Sequence, residues 1–187
     1  RARAANDTRA VAEAEKAKKQ SLDRMAHFQK LAIDQYSTII RKYPKYARMD
    51  EVLFYLGKTM SDAGQEKNAV TVYKKLIKDH KESKFLPDVH IAIGQYYFNN
   101  ASQNPSYLPK ALLAFQDAAK FTESQIYGYA LYLQGWCFFN MGDHASAAEM
   151  FKQVVYLGDI QGGKADAKTS SLAREARNDF VRSYSNY

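Results

Sequence analysis

The 187 residues, 46% hydrophobic and 25% charged, suit one domain of ordinary size or a short run of repeats with a substantial core. Only 9 Gly and 4 Pro are present, which excludes collagen-like and low-complexity classes and a sandwich of many short strands. The net charge of +7 is gathered at the start: residues 1–50 hold twelve Lys/Arg against six Asp/Glu, residues 101–150 two against four.

Residues 5–42 contain no Gly, and the first Pro is Pro44. Apolar residues recur there at Val11, Ala14, Leu22, Met25, Ala32, Tyr36 and Ile39, which predicts one long amphipathic helix. Its first third is Ala, Arg, Lys and Glu, strong helix formers with little to bury. The expectation is a solvated stretch over 1–21 and packing from about Leu22 onward. Its basic residues alternate with acids (Glu13, Glu15, Lys16, Lys18), the pattern of a solvated face more than of a nucleic-acid or membrane patch. No apolar run approaches the ~18 residues that would cross a bilayer. The chain starts at Arg1 and ends inside a helical pattern, so it reads as a piece of a longer protein.

Pro44 ends the first helix. Further helices are predicted from about 48 to 62, closed by Ala63-Gly64, from 66 to about 80, and from Pro87-Asp88 to about 99. The Asn/Ser/Pro-rich loop 100–106 follows, then helices near 107–121, 125–141 and 144–157, the last two split by Met141-Gly142-Asp143. The Gly-rich segment 158–164 breaks the pattern. A last helix places Leu172, Ala176, Phe180 and Tyr184 on one face. Strand alternation is absent, and the class is all-α.

Constellations that would carry chemistry fail on inspection. Gly158, four residues, then Gly163-Lys164 nearly spells a phosphate loop, but Ala165 lacks the magnesium-binding hydroxyl and an amphipathic helix precedes it where a strand is needed. It reads as a connector. The histidines, His27, His80, His90 and His144, are scattered with no ligand spacing for zinc. Cys137, the single cysteine, cannot form an internal disulfide and sits in an aromatic helix as a small hydrophobe. Asn6 and Asn100 open glycosylation sequons by letter only. No cofactor, metal or enzymatic activity is expected.

Internal repeats decide the fold. Gly57 is followed by Gly64 after seven residues, Ala69 after twelve and Tyr73 four later; Gly135, Gly142, Ala147 and Phe151 repeat this spacing. Gly94, Ala111, Phe115 and Ala118 form a middle copy with five extra residues, and Ala32, Tyr36, Ile39 and Pro44 form half a copy. A small residue lets two helices approach, and the aromatic fills the space beside it. At these residues the chain resembles the tetratricopeptide repeat family (Trp-x2-Leu-Gly-x2-Tyr, Ala-x3-Phe-x2-Ala, Pro). It matches also at Leu56, Tyr97 and Phe138. It departs where Leu53, His90 and Leu131 replace Trp, where Gln134 replaces Leu, and where only Pro44 keeps the closing Pro. The resemblance implies a right-handed superhelix of antiparallel helix pairs over 22–187: a half repeat at 22–45, repeats at 48–81, 87–121 and 125–157, and the start of another at 171–187. Tyr43-Pro44-Lys45-Tyr46-Ala47, the run from Asp50 to Gly57, and Ser83-Lys84-Phe85-Leu86-Pro87-Asp88 are similar to envelope repeats of Gram-negative bacteria, of the outer-membrane assembly lipoprotein and Tol-Pal partner types. Periplasmic or outer-membrane association is therefore expected; cytoplasmic repeat proteins, which share such phrases, are the alternative.

In this family the first helix of each repeat lines a concave groove. By that likeness the groove residues are Phe54, Lys58 and Asp62, then Ile91, Gln95, Phe98 and Asn99, then Tyr129, Tyr132, Trp136, Phe139 and Asn140. The expected function is a non-catalytic interaction scaffold that takes a partner protein or peptide there. The alternative at these residues is that the rings pack against the neighbouring repeat. The Lys/Asn clamp by which chaperone-type repeats hold a carboxyl terminus is missing, since Phe54 with Lys58, Ile91 with Gln95 and Tyr132 with Trp136 stand in its place. Nucleic acid is not expected as a partner. A second reading makes the basic helix 5–42 an oligomerisation or docking arm.

Overall fold

Residues 2–42 form one helix because nothing in them breaks it: no Gly, no Pro, and strong helix formers throughout. This is α1 (Ala2–Lys42), and α2 (Met49–Asp62) returns alongside it after the turn at Pro44. The remaining helices are α3 (Glu66–Asp79), α4 (Leu86–Asn99), α5 (Tyr107–Ala118), α6 (Tyr127–Asn140), α7 (His144–Ile160) and α8 (Ala167–Ser185). The computed structural model describes residues 2–160 and 167–185, with side chains at 11–159 and 171–185, and holds no strand among them. The chain forms two compact units, residues 1–72 and 73–187.

In the first unit, α1 has 41 residues and α2 only 14, about 61 Å against about 21 Å of helix. The end of α2 is marked by Gln29 Nε2, which donates to the Asp62 carbonyl at 3.1 Å. Covering is thus confined to 29–42, a stretch as long as α2 itself. Leu22, Met25 and Phe28 are 49%, 50% and 60% exposed. Packing therefore starts near Gln29 and not at Leu22, because the partner helix is too short to reach further.

The turn at Gly64 has a physical cause visible in its hydrogen bonds. Gln65 N donates to Met60 O at 2.8 Å and Gly64 N to Ser61 O at 2.9 Å, with Gly64 at φ +74°. After α6, Asp143 N donates to Phe138 O and Gly142 N to Phe139 O, with Gly142 at φ +82°. Both are left-handed helix caps that favour glycine. Each ends the first helix of a pair and lets the second start two residues later. In the second pair Asp143 Oδ1 also accepts the Ser146 amide at 3.0 Å, an N-cap that holds its carboxyl below the usual range. The five extra residues of the middle copy replace this turn between α4 and α5.

The second unit pairs α4 with α5, α5 with α6, α6 with α7 and α7 with α8. Phe115 and Phe151, both fully buried, lie against glycines of the preceding helix. A Cβ on Gly94 would stand 2.3 Å from Phe115 Cε1, and one on Gly135 2.6 Å from Phe151 Cε1. Burying each ring contributes about 1.5–3 kcal/mol, and the missing Cβ is what allows it. Ile91, Ala111, Phe115, Ala118, Ala130, Leu133 and Cys137 form one core cluster; Leu131, Ala147, Phe151, Val154 and Ala176 form the next. Helix ends shift by a few residues from expectation: α5 stops at Ala118, α6 spans 127–140, and α7 runs on to Ile160.

Candidate functional site

The sequence of α6, Tyr-Gly-Tyr-Ala-Leu-Tyr-Leu-Gln-Gly-Trp-Cys-Phe-Phe-Asn, is apolar almost all round, so it must be covered on several sides. Ala130, Leu131, Leu133, Gln134, Gly135 and Cys137 are buried. Tyr129, Tyr132, Trp136 and Phe139, spaced three, four and three, are half-buried on one stripe. Trp136 lies among rings: its centroid is 6.4 Å from Tyr132, 5.5 Å from Phe139 and 5.9 Å from Phe151. Phe139 in turn packs edge-on against His144 at 5.0 Å.

Polar bonds tie α6 to a neighbour on each side. Gln95 Nε2 on α4 donates to the Tyr129 hydroxyl at 3.1 Å. The Tyr132 hydroxyl donates to Asp179 Oδ2 on α8 at 2.8 Å. Asp179 is only 7% exposed, and its second oxygen faces Arg182 Nη1 at 3.4 Å. The Arg182 guanidinium stands 6.0 Å over the Trp136 ring, within cation–π range. Burial, opposed by Trp136 and joined by the hydrogen bond to Asp179 and its negative charge, pushes the Tyr132 phenol up to about 12. Burial likewise pushes the Cys137 thiol up to about 12, so it is an unreactive core thiol at neutral pH.

The structure brings Gln95 together with Tyr129, and Tyr132 with Trp136 and Phe139. Phe98 is half-buried against the core cluster, and Asn99 and Asn140 are exposed; Asn140 Nδ2 donates to the Trp136 carbonyl. Phe54, edge-on to Tyr55, and Lys58 and Asp62, both exposed, belong to the first unit. Ile91, expected in the groove, is instead 8% exposed in the core cluster with Phe115 and Cys137. It lies one helical turn from Gln95, but it is packed into the cluster that residues of α5 and α6 share.

Asp179, Arg182 and Ser183 escaped the sequence reading. Stepping four residues at a time from Leu172 drifts about 40° per step around a 3.6-residue helix, which carries Tyr184 off the buried face, where it stacks on Phe180. Tyr184 is 70% exposed, while Asp179 and Ser183 are buried. Counting three and four alternately from Ala176 would have found both. The near phosphate loop has residues 161–166 outside the described residues. Among the described residues, no three His, Cys, Asp or Glu side chains converge to hold a metal ion.

Residues 51–83 and 129–157 match the model of the tetratricopeptide repeat family. The chain carries tetratricopeptide repeats, and its all-α fold is theirs. A crystal structure of MamA is 22% identical over 82% of this chain and 85% of that one, with a TM-score of 0.52. A second, of MamA protein, is 21% identical over 89% and 86%, with a TM-score of 0.55. A tetratricopeptide repeat protein from Parabacteroides merdae ATCC 43184 is 16% identical over 90% of this chain, which spans 62% of that protein, with a TM-score of 0.62. At such identities the likeness is one of fold. No curated protein sequence is significantly similar.

Proposed function

We propose that this tetratricopeptide-repeat chain is a non-catalytic scaffold whose second unit holds a partner peptide or protein along α4 and α6. The observation that carries this reading is the state of Trp136. Rings brace it and Arg182 stands over it, so its orientation is set before any partner arrives. It nevertheless keeps part of its surface open. A large ring held rigid but accessible loses little entropy on binding and is the residue type on which interface energy concentrates. Gln95, Phe98, Asn99, Tyr129, Phe139 and Asn140 supply the polar and apolar surroundings, and Phe54 and Lys58 are the corresponding positions on α2 of the first unit. The phrases around Tyr43-Pro44 and Ser83 support placing the scaffold in a bacterial envelope complex, in the periplasm or at the outer membrane.

The test replaces Trp136 and Tyr132 with Ala together and measures capture of partners from an envelope extract, with circular dichroism as the check on folding. A folded double variant that captures the same proteins in the same amounts rejects the site. Trp136 is also the chain's one tryptophan, so its fluorescence should shift or quench on partner binding.

A second reading rests on its own observation. Val11, Leu22 and Met25 continue the face that packs against α2, yet lie beyond the reach of that helix and are about half exposed. This favours the arm as an oligomerisation or docking segment. Sedimentation of the chain with and without residues 1–20 decides it, an unchanged mass counting against self-association.

A further inference from the structure

The first unit carries a concavity that the reading above does not use. Tyr36 of α1, Tyr46 and Arg48 of the connecting turn, and Glu51, Val52 and Tyr55 of α2 line a cleft of about 240 Å³. That is below the roughly 300 Å³ at which pockets for whole small molecules begin, and it suits a single side chain. The charge of the lining decides what kind. Arg48 Nε and Nη2 donate to the two oxygens of Glu51 at 2.6 and 2.5 Å, so the one cation and one anion in the wall cancel. Three phenol rings and Val52 make up the rest. A charged group entering would gain no net partner, whereas a neutral ring or ring-like side chain meets aromatic walls.

The chain segment that leads from α1 into the cleft wall is of a different character. Residues 41–48 hold Arg41, Lys42, Lys45 and Arg48 and no acid, and all four are exposed. Tyr43 and Tyr46, set among them, are 62% and 46% exposed. The acids that flank this segment in the chain are Asp34, exposed on α1, Asp50, half-buried in the first turn of α2, and Glu51, held by Arg48. We infer that this turn and cleft form a second docking site, for an acidic peptide that inserts one neutral aromatic side chain among Tyr36, Tyr46 and Tyr55 while its flanking carboxylates face Arg41, Lys42 and Lys45. The anchor supplies contact area, and the basic segment supplies orientation and attraction at low salt. The site belongs to the first unit and Trp136 to the second, and the site does not depend on the groove.

Fluorescence anisotropy with three end-blocked, fluorescein-labelled peptides tests this on the full chain: Asp-Glu-Phe-Asp-Glu, the same peptide with Ser for Phe, and Lys-Lys-Phe-Lys-Lys. The acidic phenylalanine peptide should bind, the serine peptide about tenfold more weakly or worse, and the basic peptide least. Tyr46→Ala should weaken the first peptide about tenfold, and Lys45→Glu, which leaves the cleft walls intact, should weaken it and flatten its salt dependence. Trp136→Ala should lower partner capture at the groove and leave the affinity for this peptide as it was, which separates failure here from failure at the groove. Absence of binding, equal binding of the Phe and Ser peptides, preference for the basic peptide, or sensitivity to Trp136→Ala in place of Tyr46→Ala would overturn the inference. So would tight binding to phosphatidylglycerol vesicles without binding to the peptide, since the basic turn would then be a membrane contact.

Discussion

The Tyr132 hydroxyl donates to Asp179 Oδ2 across 2.8 Å, joining residues 47 positions apart. The acceptor is a buried carboxylate at the heart of the junction between α6 and α8. Hydrogen bonds to a charged group contribute about 1.5–3 kcal/mol. A double-mutant cycle with Tyr132→Phe and Asp179→Ala in urea unfolding should therefore return a coupling of about that size. Additive losses would mean that the contact carries no energy of its own.

The same pair makes stability sensitive to alkali. The folded state keeps the Tyr132 phenol neutral up to about pH 12, against an ordinary value of 10. Its contribution is complete below the unfolded value and is lost as pH rises from 10 toward 12. The buried Cys137 thiol acts in the same sense from pH 9 upward. The Tm advantage of the wild type over Tyr132→Phe should shrink above pH 10; a constant difference would show that the phenol does not titrate against Asp179.

At mildly acid pH, above the range where the carboxylates of Asp79 and Asp143 titrate, His90 is a sensitive group. Burial lowers its pKa below 6.5, while Asp117 with Oδ2 3.9 Å from Nδ1 opposes this and Lys120 adds to it. The neutral ring is favoured in the fold, so stability is complete above pH 6.5 and falls as pH drops from there through the folded value. His90→Gln should flatten the Tm profile below pH 6.5. An unchanged slope would assign acid sensitivity elsewhere.

Glycine positions test two different constraints. Gly94→Ala and Gly135→Ala drive a methyl into Phe115 and Phe151 and should each cost about 1–3 kcal/mol through overpacking. Gly64→Ala meets nothing within 4 Å but must adopt φ +74°, at a cost of about 1–2 kcal/mol. Urea unfolding measures all three, and a neutral Gly94→Ala would contradict the close approach of α4 and α5.

The repeat itself was legible because its signals are local: Gly64 and Gly142 end helices where only a left-handed residue closes the cap, and Gly94 and Gly135 precede buried rings at a countable distance. The aromatic stripe on α6 was legible for the same reason. Its neighbours were not, since periodicity ranks the faces of one helix without saying which other helix covers them. Ile91 and Gln95 look equally available on α4, yet the first is buried in a cluster with residues of α5 and α6 and the second is hydrogen-bonded to Tyr129 of α6.

What the amino-acid order determined alone is therefore the class, the helix pairs and the small-to-large packing within each pair, all set by spacing over a few turns. Tertiary structure alone decided three things. It stopped the cover on α1 at Gln29, buried Asp179 against Tyr132, and brought three tyrosines and the Arg48–Glu51 pair to one cleft. Each depends on where a distant helix ends or lies, and helix length and placement enter the free energy only once the helices have docked.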